Sequence, residues 1–177
     1  MTERRRKMIE TITFDELQWL HILNPEEEDY TYLLDNYGFH PLDIEDCRAI
    51  NQRPKIDEYD DYYFLILHFP YLDKSNKFIR MKEVKIFWGK DYIITIGRSH
   101  WAVKNLFKQT QESRQTYNTS DELLYNILDR LMVETYTLIL RIGTEVDRIN
   151  YDIFTKKPQR IIESLSLTRK NIILLNT

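Results

Sequence analysis

The chain has 177 residues, of which 42% are apolar and 30% are charged, a balance typical of a globular protein with a core of its own. Its one cysteine, Cys47, excludes an internal disulfide bond and favours a reducing compartment. The longest unbroken apolar or aromatic run, Tyr62 to Leu67, is far shorter than the roughly 20 residues of a membrane-spanning helix. No apolar stretch follows the basic residues 1–7, so a secretory signal is not expected. Read alone, the sequence predicts a soluble intracellular domain.

The formal net charge of −3 conceals an uneven distribution. Residues 26–61 contain 12 acidic and 3 basic side chains, a local net charge of −9. Nucleic-acid binding requires a basic surface, so this acidic first third excludes that class of partner. Two interpretations stay open: a solvated acidic face, or a surface that attracts cations.

In chain order, strands are predicted at residues 9–14 and 18–23. Pro25 then opens a helix whose first turn carries glutamates, and Gly38 is a natural stop for it. The apolar residues of this helix have helical spacing: Tyr30, Leu33, Leu34 and Tyr37. Pro41 begins a short helix that covers Leu42 to about Ala49.

The middle of the sequence predicts an antiparallel meander. Residues 59–71 are rich in aromatic and branched side chains, residues 73–76 have turn chemistry, and residues 78–88 alternate along a strand. A second turn at Gly89 leads into a strand at residues 92–96. The acidic run at residues 57–61 is interpreted as a solvated edge of the sheet.

The last third of the sequence predicts helices. One amphipathic helix starts near Trp101, and a long helix runs from about Ser120 to Lys156 on apolar steps of three and four. Pro158 suits the first turn of a final helix that reaches the last residues without a cap, which suggests a truncated chain. We therefore expect an α/β (α+β) fold with a mainly antiparallel sheet flanked by helices and a long C-terminal stalk-type helix. The expected division is an α/β domain at residues 1–118, followed by the long helix and the start of a stalk at 119–177.

Catalytic motifs are missing from the sequence. The four histidines, His21, His40, His68 and His100, lack the spacing of metal ligands and are interpreted as structural. There is no glycine-rich phosphate loop and no nucleophile elbow around a serine. The lone cysteine is interpreted as a small, partly buried side chain. The sequence therefore does not predict an enzyme.

One region resembles the CorA magnesium transporter family. It contains three segments in the family's order and spacing: Gly38-Phe39-His40-Pro41-Leu42-Asp43-Ile44-Glu45-Asp46, Gln52-Arg53-Pro54-Lys55-Ile56, and the aromatic strand from Tyr62 to Leu67. A looser similarity continues into the long helix, at Leu123 to Asp129. The resemblance implies a cytoplasmic α/β domain of a ring-shaped homopentamer. In that family a stalk helix leads to two membrane helices, with a Gly-Met-Asn signature at the pore mouth.

The resemblance also implies a location and a function. The full-length protein would lie in the cell inner membrane with this domain on its cytoplasmic face, and a regulatory divalent cation, Mg²⁺ first of all, would bind between identical subunits. The membrane helices and the signature would follow this sequence, so the transported ion stays open, and a ZntB-like zinc transporter is an alternative. A second alternative is a soluble interaction protein that uses the long helix as a coiled-coil arm.

By the same resemblance, Glu45 and Asp46 are the metal ligands of the first site, and Asp129 belongs to a second site. A stalk carboxylate beyond Thr177 would complete the first site. Magnesium prefers oxygen ligands, keeps most of its waters and usually takes one or two protein carboxylates. The competing interpretation is that these two acids cap and solubilise a short helix, and that Asp129 is an ordinary acid on an exposed helix.

Overall fold

The structure of the chain is a computed structural model, and it describes residues 9–73, 75–98, 100–155 and 158–175. These residues form six strands and five helices. The strands are β1 (Ile9–Phe14), β2 (Leu17–Leu23), β3 (Lys55–Glu58), β4 (Tyr62–Leu72), β5 (Ile79–Gly89) and β6 (Tyr92–Gly97). The helices are α1 (Glu27–Tyr37), α2 (Pro41–Arg48), α3 (Trp101–Ser113), α4 (Ser120–Thr155) and α5 (Pro158–Leu175).

The strands form one sheet in the order β1-β2-β6-β5-β4-β3. Pairings β1–β2, β5–β6 and β3–β4 are antiparallel, whereas β2 and β6 are parallel. The predicted meander corresponds to β4, β5 and β6, and the predicted fold class is confirmed with the parallel pairing of β2 and β6 added. The pairing needs a long crossover, which the segment from α1 to β5 supplies.

Helix α1 ends at Gly38 as predicted, and it begins at Glu27, two residues after Pro25, which was predicted to open it. Glu26 is the N-cap and forms a capping box with Asp29. Further acids in the first turn interact favourably with the positive end of the helix dipole. Gly38 ends the helix in the left-handed conformation at φ 63°, and its N–H donates to the carbonyl of Leu34. The chain then enters α2 within three residues, so α1 and α2 are adjacent.

The apolar side chains of α1 and α2 pack on one face of the sheet. The core cluster on this face contains Leu20, Ile22, Tyr30, Leu33, Phe39, Ile44, Cys47, Tyr62, Phe64, Ile66, Phe87, Ile94 and Ile96. Phe39 stacks on Phe87 with ring centroids 4.0 Å apart, which fixes the segment between the two helices against β5. Burial raises the pKa of the Cys47 thiol, so this cysteine is a small apolar member of the core, as predicted.

Helix α3 contacts the opposite face of the sheet. Because side chains alternate along a strand, β2 directs Trp19 and His21 to this face, where both rings contact Phe107 of α3. The Nδ1 atom of His21 lies 2.8 Å from Oγ1 of Thr95, and its Nε2 is buried with no hydrogen-bond partner among the described residues. Burial first, and then the charge of Lys104, lowers the pKa of His21 to about 4.

Strand β3 is the sheet edge near the acidic run. The strand predicted over residues 59–71 begins instead at Tyr62, because residues 59–61 turn the chain and the N–H of Tyr59 donates to the carbonyl of Tyr62 at 2.9 Å. The short β3 before that turn alternates between half-buried and exposed residues. The prediction of a sheet edge here is confirmed, although the strand itself begins earlier, at Lys55.

Helix α4 is 36 residues long, which confirms the predicted long helix; Lys156, its predicted last residue, lies outside the described residues. The chain forms two compact units, one of residues 1–68 and 83–130, the other of residues 69–82 and 131–177. The predicted boundary at residue 118 stays a prediction. Among the described residues, no helix combines the length and the apolar character needed to cross a membrane.

The second unit contains the turn between β4 and β5 and helix α5. Buried Asn171 of α5 binds this turn: its Oδ1 accepts from the N–H of Ile79 at 2.9 Å, and its Nδ2 donates to the carbonyl of Lys77 at 3.1 Å. Within the turn, the carboxylate of Asp73 accepts hydrogen bonds from Ser75 and forms an ion pair with Arg80. These contacts lower the pKa of the Asp73 carboxyl, and the hydrogen bond from the Ser75 side chain has the largest effect. These contacts order the described part of the turn that the sequence predicts at residues 73–76; residue 74 lies outside the described residues.

Candidate functional site

Helix α2 carries two of the three predicted metal ligands, and both of its ends are capped. His40 is the N-cap, and its Nδ1 accepts from the N–H of Leu42 at 3.2 Å, while Pro41 occupies the first helical position. At the other end, Nζ of Lys85 on β5 donates to the carbonyls of Asp46 at 2.8 Å and Ala49 at 2.6 Å. This buried ammonium satisfies carbonyls that the helix leaves open and complements its dipole.

Asp43 is the buried acid of the motif, with 1% of its surface exposed. The hydroxyl of Tyr62 donates to it at 2.8 Å and that of Tyr59 at 3.1 Å, while the N–H of His40 donates to the Tyr62 oxygen at 2.8 Å. Burial raises the pKa of the Asp43 carboxyl, and the two tyrosine hydrogen bonds oppose this shift. Asp43 therefore fastens the start of α2 to β4, a structural role.

Asp46, half-buried near the end of α2, forms an ion pair with the first residue of β3. Its Oδ2 lies 2.6 Å from Nζ of Lys55, which also pairs with Asp57 two residues further along. Burial opposes the charge of Lys55, but the hydrogen bonds to the two carboxylates outweigh burial and raise the pKa of the ammonium. The carboxylate of Asp46 remains 23% exposed, so solvent and ions reach it.

The same region is held from β5 by Glu83. Its carboxylate accepts from the backbone N–H of Gln52 and lies 3.2 Å from Nζ of Lys85, and His68 Nε2 is 3.8 Å away. The segment of residues 52–55 is therefore tied down at both ends, at Gln52 by Glu83 and at Lys55 by Asp46. As a result, the position of Lys55 beside α2 is defined by several contacts.

Glu45 and Asp129 lie apart from this network. Glu45 is exposed on α2, and Asp129 is exposed on α4. Across the described ranges, which omit residues 1–8, 74, 99, 156–157 and 176–177, no group of three or more His, Cys, Asp or Glu side chains is arranged to hold a metal ion. Within the part of this chain that the structure describes, Asp46 therefore has carboxylate oxygens within reach of an ion but not a complete ligand set.

Sequence reasoning missed two residues of this site, Lys85 and Lys55. Lys85 is on an alternating strand, where a lysine is ordinarily solvated, but α2 covers this position. Lys55 is in the motif described above, but its pairing with Asp46 and Asp57 depends on how residues 49–54 turn the chain and where β3 begins. For Lys55 the available signal was its place as one of three basic residues among the 12 acids of residues 26–61.

The chain is similar in sequence to known transporter proteins. The family model described as "CorA-like Mg2+ transporter protein" matches residues 14–177. The YfjQ protein of Bacillus subtilis (strain 168) is 31% identical over 149 residues, covering 83% of this chain and 44% of that protein. The "Cobalt/magnesium transport protein CorA" of Thermotoga maritima is 22% identical over 165 residues, covering 89% of this chain and 46% of that protein. The chain thus spans less than half the length of these two relatives.

The fold has a counterpart among solved structures. The structure described as "The complete structure of CorA magnesium transporter from Methanocaldococcus jannaschii" superimposes with a TM-score of 0.74, at 18% sequence identity, over 93% of this chain and 53% of that one. At this identity the likeness concerns the fold.

Proposed function

The chain belongs to the family of CorA-like Mg²⁺ transporter proteins, and we propose that it is the regulatory, metal-sensing domain of a transporter for magnesium or another divalent cation. The observation that carries this proposal is the placement of Asp46. The family-like segment of residues 38–46 forms α2, and its last acid is partly exposed at the helix end, within reach of an ion. The chemistry fits magnesium, which takes one or two carboxylates and keeps several waters.

The proposed ion site is shared between subunits. Asp46 supplies one carboxylate, the exposed Glu45 is a second candidate on the same helix, and a carboxylate of the neighbouring subunit completes the set. Asp129 is the proposed ligand of a second site. Since the described part of one chain holds no complete metal cluster, a site completed by another subunit is consistent with the geometry.

The proposed regulation is electrostatic. A bound divalent cation bridges carboxylates of adjacent subunits in a homopentameric ring and favours the closed pore. When the ion leaves, like charges repel, and the population shifts toward the open state. The membrane part of the transporter would follow this domain in the sequence and place it at the cytoplasmic face of the cell inner membrane.

The exposed apolar side chains of α4 support a second candidate function, association with another helix. Helix α4 exposes large apolar side chains: Tyr125, Met132, Val133, Tyr136, Ile139, Leu140, Tyr151 and Ile153. Such a helix face favours contact with another helix, so a protein that uses α4 for association alone remains the rival. A ZntB-like zinc transporter domain differs from the lead proposal only in the ion.

The coding sequence beyond Thr177 separates these candidates. The transporter requires two apolar segments of about 20 residues each, with Gly-Met-Asn at the end of the first. A stop codon directly after Thr177 would contradict the transporter and favour the association protein. Uptake of Mg²⁺ and of Zn²⁺ into proteoliposomes containing the full-length protein then identifies the ion.

A further inference from the structure

The ammonium of Lys55 is already paired with the carboxylate of Asp46, which is the proposed ligand of the ion site. Its Nζ lies 2.6 Å from Oδ2 of Asp46 and pairs with Asp57 as well. The same atom is 5.5 Å from the centre of the Phe64 ring, at cation–π distance. One positive charge is therefore shared between two carboxylates and an aromatic face.

A metal ion and this ammonium compete for the same oxygen. An Asp46 oxygen that is hydrogen-bonded at 2.6 Å to an ammonium cannot also bind a divalent cation at full strength, because the two like charges repel. The lysine side chain is 34% exposed and has a flexible four-carbon stem, so the ammonium can move into solvent while Asp57 continues to bind it.

We propose that Lys55 is an internal counter-cation which a divalent ion must displace from Asp46, so that this lysine sets the ion concentration at which the site fills. The inference rests on the metal-sensing role of Asp46 proposed above. In the ion-free protein, Lys55 neutralises Asp46 and prevents an unpaired carboxylate. In the ion-bound protein, Lys55 remains with Asp57. The exchange weakens the apparent affinity and moves it toward the concentration range of an abundant ion.

Lys85, the other ammonium in contact with Asp46, has a different role. It binds the backbone carbonyl of Asp46 rather than the carboxylate, it also binds the carbonyl of Ala49, and it is 5% exposed. An ion at the Asp46 carboxylate leaves these bonds intact. Lys85 therefore fixes the helix end, whereas Lys55 regulates access to the side chain.

The test is the Mg²⁺ concentration that half-closes the full-length protein, measured as Mg²⁺ flux in proteoliposomes at several internal Mg²⁺ levels. Lys55→Gln removes the competitor, so half-closure should need about three- to fivefold less Mg²⁺, the upper part of the change expected for one partly exposed ion pair. Asp57→Asn leaves Lys55 with Asp46 alone and should raise the concentration. This opposite shift tests the proposal even if Lys55→Gln does not fold.

Two comparisons separate the possible outcomes. Lys90→Gln removes an equal charge from an exposed position after β5 and should leave half-closure within about twofold of wild type. In an Asp46→Asn background, Lys55→Gln should have no further effect, because the coupling runs through that carboxylate. Suppose that Lys55→Gln leaves the Mg²⁺ concentration at half-closure unchanged, or raises it, while Asp46→Asn still shifts it. The counter-cation proposal is then wrong, but the proposed sensor role of Asp46 is retained. If Asp46→Asn itself changes nothing, the proposed function fails.

Discussion

The Nζ atom of Lys85 lies 2.8 Å from the carbonyl oxygen of Asp46, which places a buried ammonium at the C-terminal end of α2. A second bond, to the carbonyl of Ala49 at 2.6 Å, and an ion pair with Glu83 at 3.2 Å satisfy its remaining donors. This lysine joins the helix that carries the candidate site to the middle of the sheet. The orientation of Asp46 therefore depends on β5.

Replacing Lys85 should destabilise the domain strongly. Lys85→Met keeps most of the side-chain volume but leaves the helix carbonyls and the Glu83 carboxylate without their donor, at a cost of about 2–4 kcal/mol. The measurement is the free energy of unfolding in urea, and Lys90→Met, at the exposed position directly after β5, is the matched control. Equal stability of the two variants would show that the buried ammonium does not hold α2.

The buried His21 predicts a loss of stability in acid. Its pKa is about 4 in the folded chain against 6.5 in the unfolded one, so the unfolded state takes up the proton first as the pH falls. The contribution to the free energy of unfolding is complete above pH 6.5 and is lost as the pH falls toward 4. The difference of 2.5 between these two pKa values corresponds to at most about 3 kcal/mol of the free energy of unfolding.

Urea unfolding of wild type and His21→Asn between pH 7 and pH 4 measures this contribution. The asparagine keeps a polar atom near Thr95 but does not titrate in this range, so the stability of the variant should depend less on pH. Both chains share the other titrating groups, which cancel in the comparison. Identical pH dependence in the two chains would contradict the shifted pKa.

Two neighbouring tyrosines provide a matched test of the Asp43 anchor. Tyr62→Phe removes the hydroxyl that donates to Asp43 and accepts from the N–H of His40, and should cost about 2–3 kcal/mol. Tyr63→Phe removes an exposed hydroxyl that donates to Glu58, and should cost much less than Tyr62→Phe. Thermal or urea unfolding compares them, and similar losses in both variants would remove the argument that Asp43 fastens α2 to the sheet.

Local sequence signals predicted the elements around the site, since each depends on a few adjacent residues. Gly38 adopts the left-handed conformation that ends α1, and Pro41 stands at the first position of α2. The sustained three-four spacing predicted α4 over nearly its whole length. These features depend on backbone chemistry within a few residues, so the sequence carries them directly.

The contacts of the site depend on tertiary structure, and the sequence did not predict them. Lys55 reaches Asp46 only after the chain has turned into β3, and Lys85 is buried only because α2 covers its face of β5. Alternation along β5 identifies two faces but does not identify which helix covers each. The parallel pairing of β2 with β6 likewise joins segments about 75 residues apart in sequence.

The most direct test of the account is Mg²⁺ flux through the full-length protein as internal Mg²⁺ is raised, with wild type beside Asp46→Asn. Glu112→Gln, at an exposed acid on α3, serves as the control for lost charge. We expect the Asp46→Asn protein to close only at several-fold higher Mg²⁺, because an effect on the order of 1 kcal/mol per site is repeated around the ring. The Glu112→Gln control should close at the same Mg²⁺ concentration as wild type. If all three proteins close at the same Mg²⁺ concentration, Asp46 is not a sensor ligand, and the acidic end of α2 only caps and solvates that helix.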